Sequence, residues 1–171
     1  AFLTLDTSYT EGYKNTSATK TKGSRNHIFA ELDFDWNQDQ SYESKLSLKT
    51  QRVSNDTYLR IHDINTALVT AENTDLENKI IYNFSKDNMY LDISATVYED
   101  LRKKTNNDRY EYILPNILYG QTFFTERYGT LNLKSNAVYK NYETNKYTTF
   151  LTNDIIWSPI TNITKKGFVN T

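Results

Sequence analysis

The feature that most constrains this chain is an alternation of apolar and polar residues that recurs in about eight segments. In the clearest segment, residues 28–36, apolar side chains occupy the even positions, whereas Glu31, Asp33 and Asp35 occupy odd ones. Only Phe29 is out of place. Because successive side chains of a β-strand point to opposite faces, each segment offers one apolar surface and one polar surface.

Two kinds of protein suit such strands: a soluble sheet with one buried face, and a transmembrane barrel with lipid outside and a polar lumen. The mean hydropathy of −0.72 is typical of a soluble or partly disordered chain. Fourteen Tyr, eight Phe and two Trp argue against disorder, because disordered segments contain few aromatic residues. Aromatic residues form belts on membrane barrels but also suit a secreted carbohydrate-binding sandwich, so composition leaves both classes open.

Charge, apolar runs and cysteine content exclude several other classes. The net charge of −1 gives no electrostatic reason to expect nucleic acid as a partner. No run of about 18 apolar residues is present, so the sequence contains no transmembrane helix, whereas a barrel strand needs only about 9–11 residues. Without cysteine, the chain cannot form disulfides, thiolate zinc sites or thiol nucleophiles.

The alternating segments predict about eight strands joined as antiparallel hairpins. The predicted ranges are 2–10, 27–37, 42–53, 76–85, 89–101, 109–124, 129–142 and 145–158. The three longest connections, 11–26, 54–75 and 102–108, then emerge on one side of the sheet. Long extracellular loops opposite tight periplasmic turns are typical of outer-membrane barrels. We therefore predict an all-β, antiparallel up-and-down transmembrane β-barrel segment of a larger barrel.

In a barrel of this kind, one face of each strand points to lipid and the other points to the lumen. The residues predicted to face lipid are Ile28, Leu32, Phe34, Leu91, Ile93, Val97, Leu131 and Leu133. Those predicted to face the lumen are Glu31, Asp33, Asp35, Lys45, Asp92, Asn132 and Lys134. Segments 109–124 and 145–158 are apolar on both faces, so their inner face needs a plug, a folded loop or a partner as cover. Pro115 has no backbone N–H for the ladder and is expected to bend its strand or to lie at a bulge.

Catalytic and metal chemistry have little support in the sequence. The only histidines, His27 and His62, lack a patterned Ser or carboxylate partner and are interpreted as solvated. The carboxylates of segment 28–36 could form a paired-carboxylate or calcium site, but a hydrated lumen wall is the favoured interpretation. We therefore expect no enzyme activity, no cofactor and no metal.

A basic cluster in segment 11–26 could meet lipid phosphates, although an ordinary solvated loop is the favoured interpretation. It consists of Lys14, Lys20, Lys22 and Arg25.

Two stretches of the chain resemble a known family. Residues 54–61 read Ser-Asn-Asp-Thr-Tyr-Leu-Arg-Ile and are similar to the S-[ND]-D-x-[YF]-L element of the LptD (OstA) family of outer-membrane lipopolysaccharide-assembly proteins. Residues 97–101 and 108–117 resemble a second element of that family. This element is a strand, together with the residues that lead into it, in which a proline follows tyrosine and leucine. The spacing of the predicted strands extends the resemblance across most of the chain.

The resemblance implies that residues 1–171 are a middle portion of a large outer-membrane β-barrel in a Gram-negative bacterium, without the family's periplasmic domain, gate strands or signal peptide. Members of that family receive lipopolysaccharide from the periplasmic Lpt bridge and insert it into the outer leaflet, and many hold a plug lipoprotein, LptE, inside the barrel. The implied partners are therefore lipopolysaccharide, an LptE-like plug, the Lpt bridge and outer-membrane lipid. The residues leave two alternatives open: a secreted soluble β-sandwich that binds glycan, and an outer-membrane porin or receptor barrel of another family.

Overall fold

A computed structural model describes residues 1–16, 19–36, 41–103, 106–142, 146–164 and 167–170, with side chains for all of these except 12–24, 106–107, 142 and 161–170. Eight strands form one antiparallel sheet in chain order. They are β1 (Phe2–Thr16), β2 (Thr19–Asp35), β3 (Glu43–Val53), β4 (Asp75–Lys86), β5 (Met89–Asp100), β6 (Tyr110–Thr125), β7 (Gly129–Tyr142) and β8 (Lys146–Ser158). Two further strands, β9 (Thr161–Thr164) and β10 (Gly167–Asn170), pair only with each other.

The predicted all-β, up-and-down arrangement is confirmed by the order of the strands. From β3 to β8 the predicted strand ends agree with the observed ones to within one residue. The sheet is not closed into a barrel, because in the described part of the chain β1 and β8 are its outer strands and do not pair with each other. The hairpin of β9 and β10 was not predicted.

The prediction of a loop at 11–26 is wrong. Pairing between β1 and β2 continues from Glu11 opposite Ser24 to Thr16 opposite Thr19, so the two strands form a long ribbon. Polar composition suggested a loop, but a ribbon that extends beyond its neighbours needs no apolar face, and β-branched threonine favours extended backbone. Lys14, Lys20 and Lys22 belong to this ribbon, and their side chains lie outside the described residues.

Two single helical turns interrupt the connections at one end of the sheet. The first, α1 (Tyr58–Ile61), lies in the connection 54–74 between β3 and β4, and the second, α2 (Asn106–Arg109), precedes β6. The side chain of Asn55 accepts hydrogen bonds from the backbone N–H and the hydroxyl of Thr57 and so turns the chain into α1. Asp63, with a φ of 46°, ends the turn in the left-handed region that aspartate tolerates. We call this end of the sheet the loop end and the opposite end, with the short connections, the turn end.

The register defines two faces, because directly opposed residues of paired strands share a face. One row of opposed residues crosses from β2 to β8 on the face we call the apolar face: Phe34, Leu46, Tyr82, Ile93, Ile117, Ala137 and Leu151. The neighbouring row lies on the polar face: Asp35, Lys45, Asn83, Asp92, Leu118, Asn136 and Thr152. By this register all eight residues predicted to face lipid lie on the apolar face and all seven predicted to face the lumen lie on the polar face. What each face contacts stays a prediction.

The sheet has an irregularity in the middle of β6. Between Ile113 and Asn116 the strand contains one residue more than β5 on one side and β7 on the other, so Leu114 and Pro115 form a bulge against both neighbours. The peptide bond between them is cis. A bulge is one of the few places where proline fits inside a sheet, because the ladder is already interrupted there.

The buried core lies at the loop end and not along the sheet. The buried apolar side chains that form it come from β2, from the connection 54–74, from the start of β4 and from the residue that follows β5: Phe29, Tyr58, Leu59, Val69, Leu76 and Leu101. Among the described residues, no second layer of structure of comparable size packs on either face of the sheet. The core therefore anchors one connection rather than the strands as a whole.

Candidate functional site

The apolar face exposes large hydrophobic side chains along its whole width. On β8, Leu151 is 66% exposed and Ile155 is 67% exposed. Inner strands contribute Ile28, Phe34, Leu48, Ile80, Ile93 and Leu131, all of which are exposed. Soluble monomers rarely expose a continuous apolar patch of more than a few hundred Å², so a surface that crosses the whole sheet indicates contact with another apolar medium or molecule.

Aromatic side chains gather on the apolar face at the turn end. The ring of Trp36 lies 5.2 Å from that of Phe34 and 6.1 Å from that of Tyr82, measured between centroids. Tyr42 and Phe84 form a further pair at 5.7 Å. These residues come from β2, from β4 and from the two ends of the connection between β2 and β3, so cross-strand register assembles them from separate parts of the sequence.

A second aromatic group lies on the same face at the loop end. Tyr139 of β7 stacks on Tyr147 of β8 with a centroid distance of 5.8 Å, and Tyr110 lies 6.1 Å from Tyr112 on β6. Between the two aromatic groups the apolar face is mainly aliphatic, with residues such as Leu32, Leu48, Ile80, Ala95 and Ala137. The face thus has an aliphatic middle and aromatic ends.

On the polar face, acidic and basic side chains pair across β2, β3 and β4. Lys49 lies between Glu31, at 3.7 Å, and Glu77, at 3.0 Å. Asp33 accepts a hydrogen bond from Ser47 and lies 3.5 Å from Lys45. These pairs make the face hydrophilic without a large net charge. Within the described residues, no group of three or more His, Cys, Asp or Glu has the arrangement needed to hold a metal ion.

Toward β8 the polar face becomes less polar, although hydrogen bonds between polar side chains continue across it. Asn83 donates a hydrogen bond to Asp92 at 2.7 Å, and Thr122 donates one to Asn132 at 2.8 Å. Lys134 lies opposite Gly120 of β6 and Asp154 of β8. Further along, the polar face of β6 to β8 also carries Ile113, Leu118, Val138, Phe150 and Ile156. This half of the face is therefore less polar than the half formed by β2 to β5.

The connection 54–74 covers the polar face of β2 and β3 at the loop end. Phe29, which points to the polar face, is 0% exposed, whereas its neighbour Ile28 on the apolar face is 41% exposed. His27 is also buried, with Nδ1 3.1 Å from the hydroxyl of Tyr58 and Nε2 3.2 Å from the carboxylate of Asp6. The sequence interpretation of His27 as solvated is therefore wrong.

The connection is held where β3 and β4 separate. Their pairing stops at Lys49 opposite Lys79, and beyond this point the side chain of Gln51 accepts a hydrogen bond from the backbone N–H of Glu77 and donates one to the carbonyl of Leu68. The side chain of Asn78 bonds both backbone groups of Gln51. Side-chain amides thus replace the missing backbone hydrogen bonds between β3 and β4, and the connection 54–74 packs in the gap between these two strands.

Arg109 joins this connection to the next one. Its guanidinium lies 2.7 Å from Asp56 at the start of the connection 54–74 and donates hydrogen bonds of 2.6 and 2.8 Å to Glu99 near the end of β5. It also donates a longer hydrogen bond, 3.4 Å, to the carbonyl of Lys103. Asp56 and Glu99 hold the pKa of the guanidinium above its ordinary value despite partial burial. A cleft of about 280 Å³, lined by charged residues and tyrosines that include Arg109, lies beside it.

Sequence reasoning missed this cluster, although one signal for it was present. Phe29 breaks the alternation of its segment because the connection 54–74 covers the polar face at that position. The ion pairs of Arg109 join residues far apart in the sequence, and no local pattern predicts them. The stretches on which the predicted resemblance to the LptD family rests, 54–61 and 97–101 with 108–117, meet here through Asp56, Glu99 and Arg109.

Both helices in the described part of the chain are single turns, and neither could cross a membrane. Comparison with protein-family models, curated proteins and solved structures gives no match for this chain.

Proposed function

We propose that this chain is part of a transmembrane β-barrel in the outer membrane of a Gram-negative bacterium, and that the barrel transports lipopolysaccharide to the outer leaflet. The observation that carries the membrane assignment is the apolar face, with an aliphatic middle between two groups of aromatic side chains. Transmembrane barrels have an outward apolar band with aromatic girdles at both interfaces and a polar interior. The opposite face of this sheet is hydrophilic over β2 to β5, as a lumen wall requires.

The dimensions of the apolar face suit a membrane. Trp157 and Tyr147 lie on the apolar face near opposite ends of β8, and the strand rises roughly 34 Å between them at 3.4 Å per residue. A strand tilt of about 40° reduces this rise to about 26 Å, which matches the apolar band of outer-membrane barrels. The aromatic groups would then lie at the two membrane surfaces, where Tyr and Trp are favoured.

A soluble β-sandwich is less consistent with these strands. A sandwich packs two sheets face to face across a shared apolar core. Here the eight strands belong to a single sheet whose apolar face is left exposed, and the described core lies around one connection. Lipid would cover the apolar face, and additional strands at the free edges of β1 and β8 would close the barrel.

Lipopolysaccharide is proposed as the cargo because of the resemblance to the LptD family. Support comes from the meeting of the two similar stretches at the loop end, where Arg109 links Asp56 to Glu99. By the same resemblance, the Lpt bridge would deliver the lipid, and a plug lipoprotein similar to LptE would occupy the lumen. The less polar half of the polar face, which includes Phe150 and Ile156, suits contact with such a plug. The role is transport rather than chemistry, so we propose no enzymatic activity.

The experiment that tests the proposal is fractionation of cells that express the full-length protein, followed by gel electrophoresis of heated and unheated samples. We expect recovery in the outer membrane with a heat-dependent shift in mobility. Depletion of the protein should then reduce newly made lipopolysaccharide at the cell surface. A soluble, heat-insensitive protein would overturn the barrel. An outer-membrane protein whose depletion leaves surface lipopolysaccharide unchanged would retain the barrel, overturn the cargo and favour a porin or receptor.

A further inference from the structure

The apolar face carries an exposed arginine at its loop end that the proposed function does not use. Arg52 of β3 lies directly opposite Ile28 of β2, so register places it on the apolar face. Its neighbours on this face by register and alternation are uncharged: Asn26, Ile28, Ala30 and Thr50. Among the described residues its guanidinium has no ion-pair or hydrogen-bond partner. An exposed arginine needs no partner in water, but at the edge of a lipid-contact surface the headgroups supply the counter-ion.

The aromatic limits of the apolar face run obliquely across the strands. Positions along the strands are counted from the reference row, the row of directly opposed residues that begins at Phe34. At the turn end the limit is Trp36 beside β2, two residues beyond this row, but Trp157 on β8, six residues beyond it. At the loop end the limit is Tyr147 on β8, four residues from the row, but Tyr9 on β1, eight residues from it. Both limits shift in the same direction, as expected where one bilayer crosses the tilted strands of a barrel.

Arg52 lies at the loop-end limit of its own strand. It is six residues from the reference row, and interpolation between Tyr147 and Tyr9 puts the limit on β3 at about seven residues from that row. On β5 the first charged side chain of the apolar face is Glu99, also six residues from the row. Charge therefore begins at the same limit on both strands. Glu99 has Arg109 as its partner at 2.6 Å, whereas Arg52 has none in the described part of the chain.

We propose that Arg52 binds the phosphate group of a lipid in the leaflet at the loop end. This site rests on the proposed barrel. The planar fork of N–H groups on a guanidinium matches two oxygens of a phosphate, and the opposite charges attract.

The apolar surroundings of Arg52 favour a lipid over a free phosphate ion. Ile28, directly opposite Arg52, is 41% exposed, and Ala30 lies two residues further toward the middle of the apolar face. A lipid whose phosphate is bound to Arg52 would place the first carbons of its acyl chains against these side chains and bury apolar surface. An inorganic phosphate ion has no such chains and would gain only the contact with the guanidinium.

The test compares two brominated lipids at a fluorescent label beside Arg52. Residues 1–171 contain no cysteine, so Ala30→Cys in a cysteine-free form of the full-length protein gives one site for a bimane label on the apolar face. The protein is placed in phosphatidylcholine vesicles that contain phosphatidic acid or phosphatidylcholine with brominated acyl chains. Bromine quenches a label that it contacts, so titration gives the relative affinity of the two lipids for this position.

Three variants separate the role of Arg52 from that of charge in general. Arg52→Gln removes the charge, and Arg52→Lys keeps it without the fork geometry. The matched control is Arg60→Gln, because Arg60 is also exposed but belongs to α1 and not to a strand of the apolar face. Heat-dependent gel mobility reports assembly of each variant.

With Arg52 present, phosphatidic acid should bind beside the label about fivefold more tightly than phosphatidylcholine, the gain typical of one basic side chain near anionic headgroups. Arg52→Gln should abolish this preference, Arg52→Lys should keep part of it, and Arg60→Gln should leave it unchanged. Equal affinity for the two lipids with Arg52 present would overturn the phosphate site, and so would a preference that persists in Arg52→Gln.

A second variant covers the case in which Arg52→Gln does not assemble. Arg52→Thr then decides, because threonine favours extended backbone. Loss of the preference in an assembled Arg52→Thr protein supports the site, and any other result overturns it. Failure of the proposed function is distinguishable, because neither brominated lipid would then quench the label.

Discussion

The connection 54–74 and strand β8 differ in the burial of their apolar side chains. The connection buries Leu59 and Val69 against Phe29 within the chain itself. Strand β8 leaves Leu151, Ile155 and Trp157 exposed on one face and Ile156 on the other. The first region has the packing of a soluble domain on a small scale, and the second has apolar surface that the described chain does not cover.

This difference shows that the stability of the two regions depends on different partners. Burial within the chain stabilises the connection in any solvent that supports the hydrophobic effect. The sheet gains the equivalent stabilisation only if lipid or other strands cover its apolar face. The stability cost of a substitution should therefore depend on side-chain packing in the connection and on the surrounding medium in the sheet.

The largest effect is expected for Leu59→Ala in the buried cluster. Deletion of a buried leucine side chain should cost about 2–5 kcal/mol of the local stability of the connection, through lost burial and a residual cavity. The control, Ile61→Ala, changes an exposed residue of the same helical turn and should cost less than about 0.5 kcal/mol. Amide hydrogen exchange of residues 54–74 in the full-length protein, in vesicles, measures both. Equal protection in the two variants would contradict the description of the connection as a self-contained core.

A charge on the apolar face should have a somewhat smaller effect that depends on the medium. Ile93→Arg should destabilise the protein by roughly 2–4 kcal/mol in a bilayer, because the guanidinium would lie in hydrocarbon. Asp92→Arg, at the neighbouring position on the polar face, should cost much less, although it removes the hydrogen bond from Asn83. Urea-dependent unfolding from phospholipid vesicles measures the two. Equal costs would show that the faces do not differ in environment and would contradict the proposed lipid contact.

A smaller loss of stability is expected from a substitution at Gly120, a residue of the polar face whose surroundings leave no room for a side chain. A Cβ atom at this position would overlap the ring of Tyr90, which lies against the glycine from β5. Gly120→Ala should therefore cost about 1–3 kcal/mol through overpacking. The double variant with Tyr90→Ala should recover part of this loss, since the ring that causes the overlap is gone. Unfolding in vesicles measures the stability of the single and double variants. Additive costs in the double variant would contradict the contact between Gly120 and Tyr90.

The strands were predictable from the sequence because their determinant is local. A period of two residues selects extended backbone, and the scarcity of proline and glycine within the segments leaves the strands uninterrupted. Prediction was poorest where polarity was used as evidence for a loop, as in the ribbon of β1 and β2. Threonine and lysine suit a solvated strand as well as a loop, so composition could not separate the two.

The candidate site was only partly predictable. The alternation sorted residues such as Ile93 and Asp92 onto different faces, because a strand fixes that relation without reference to its neighbours. It did not predict the aromatic groups, which form when register brings Trp36 beside Tyr82 and Tyr139 beside Tyr147. It also did not predict the buried environment of His27, for which the misplaced Phe29 was the available signal.

The sequence by itself determined that this chain forms amphipathic antiparallel strands in a meander, since side-chain alternation and chain order are sufficient for both. Tertiary structure alone decided which strands are outermost, how far β1 and β2 extend, and where the connection 54–74 folds. Each of these depends on contacts between residues distant in the sequence, such as Arg109 with Asp56 and Gln51 with Leu68. The geometry of such contacts is set by strand register, and a local pattern carries no information about it.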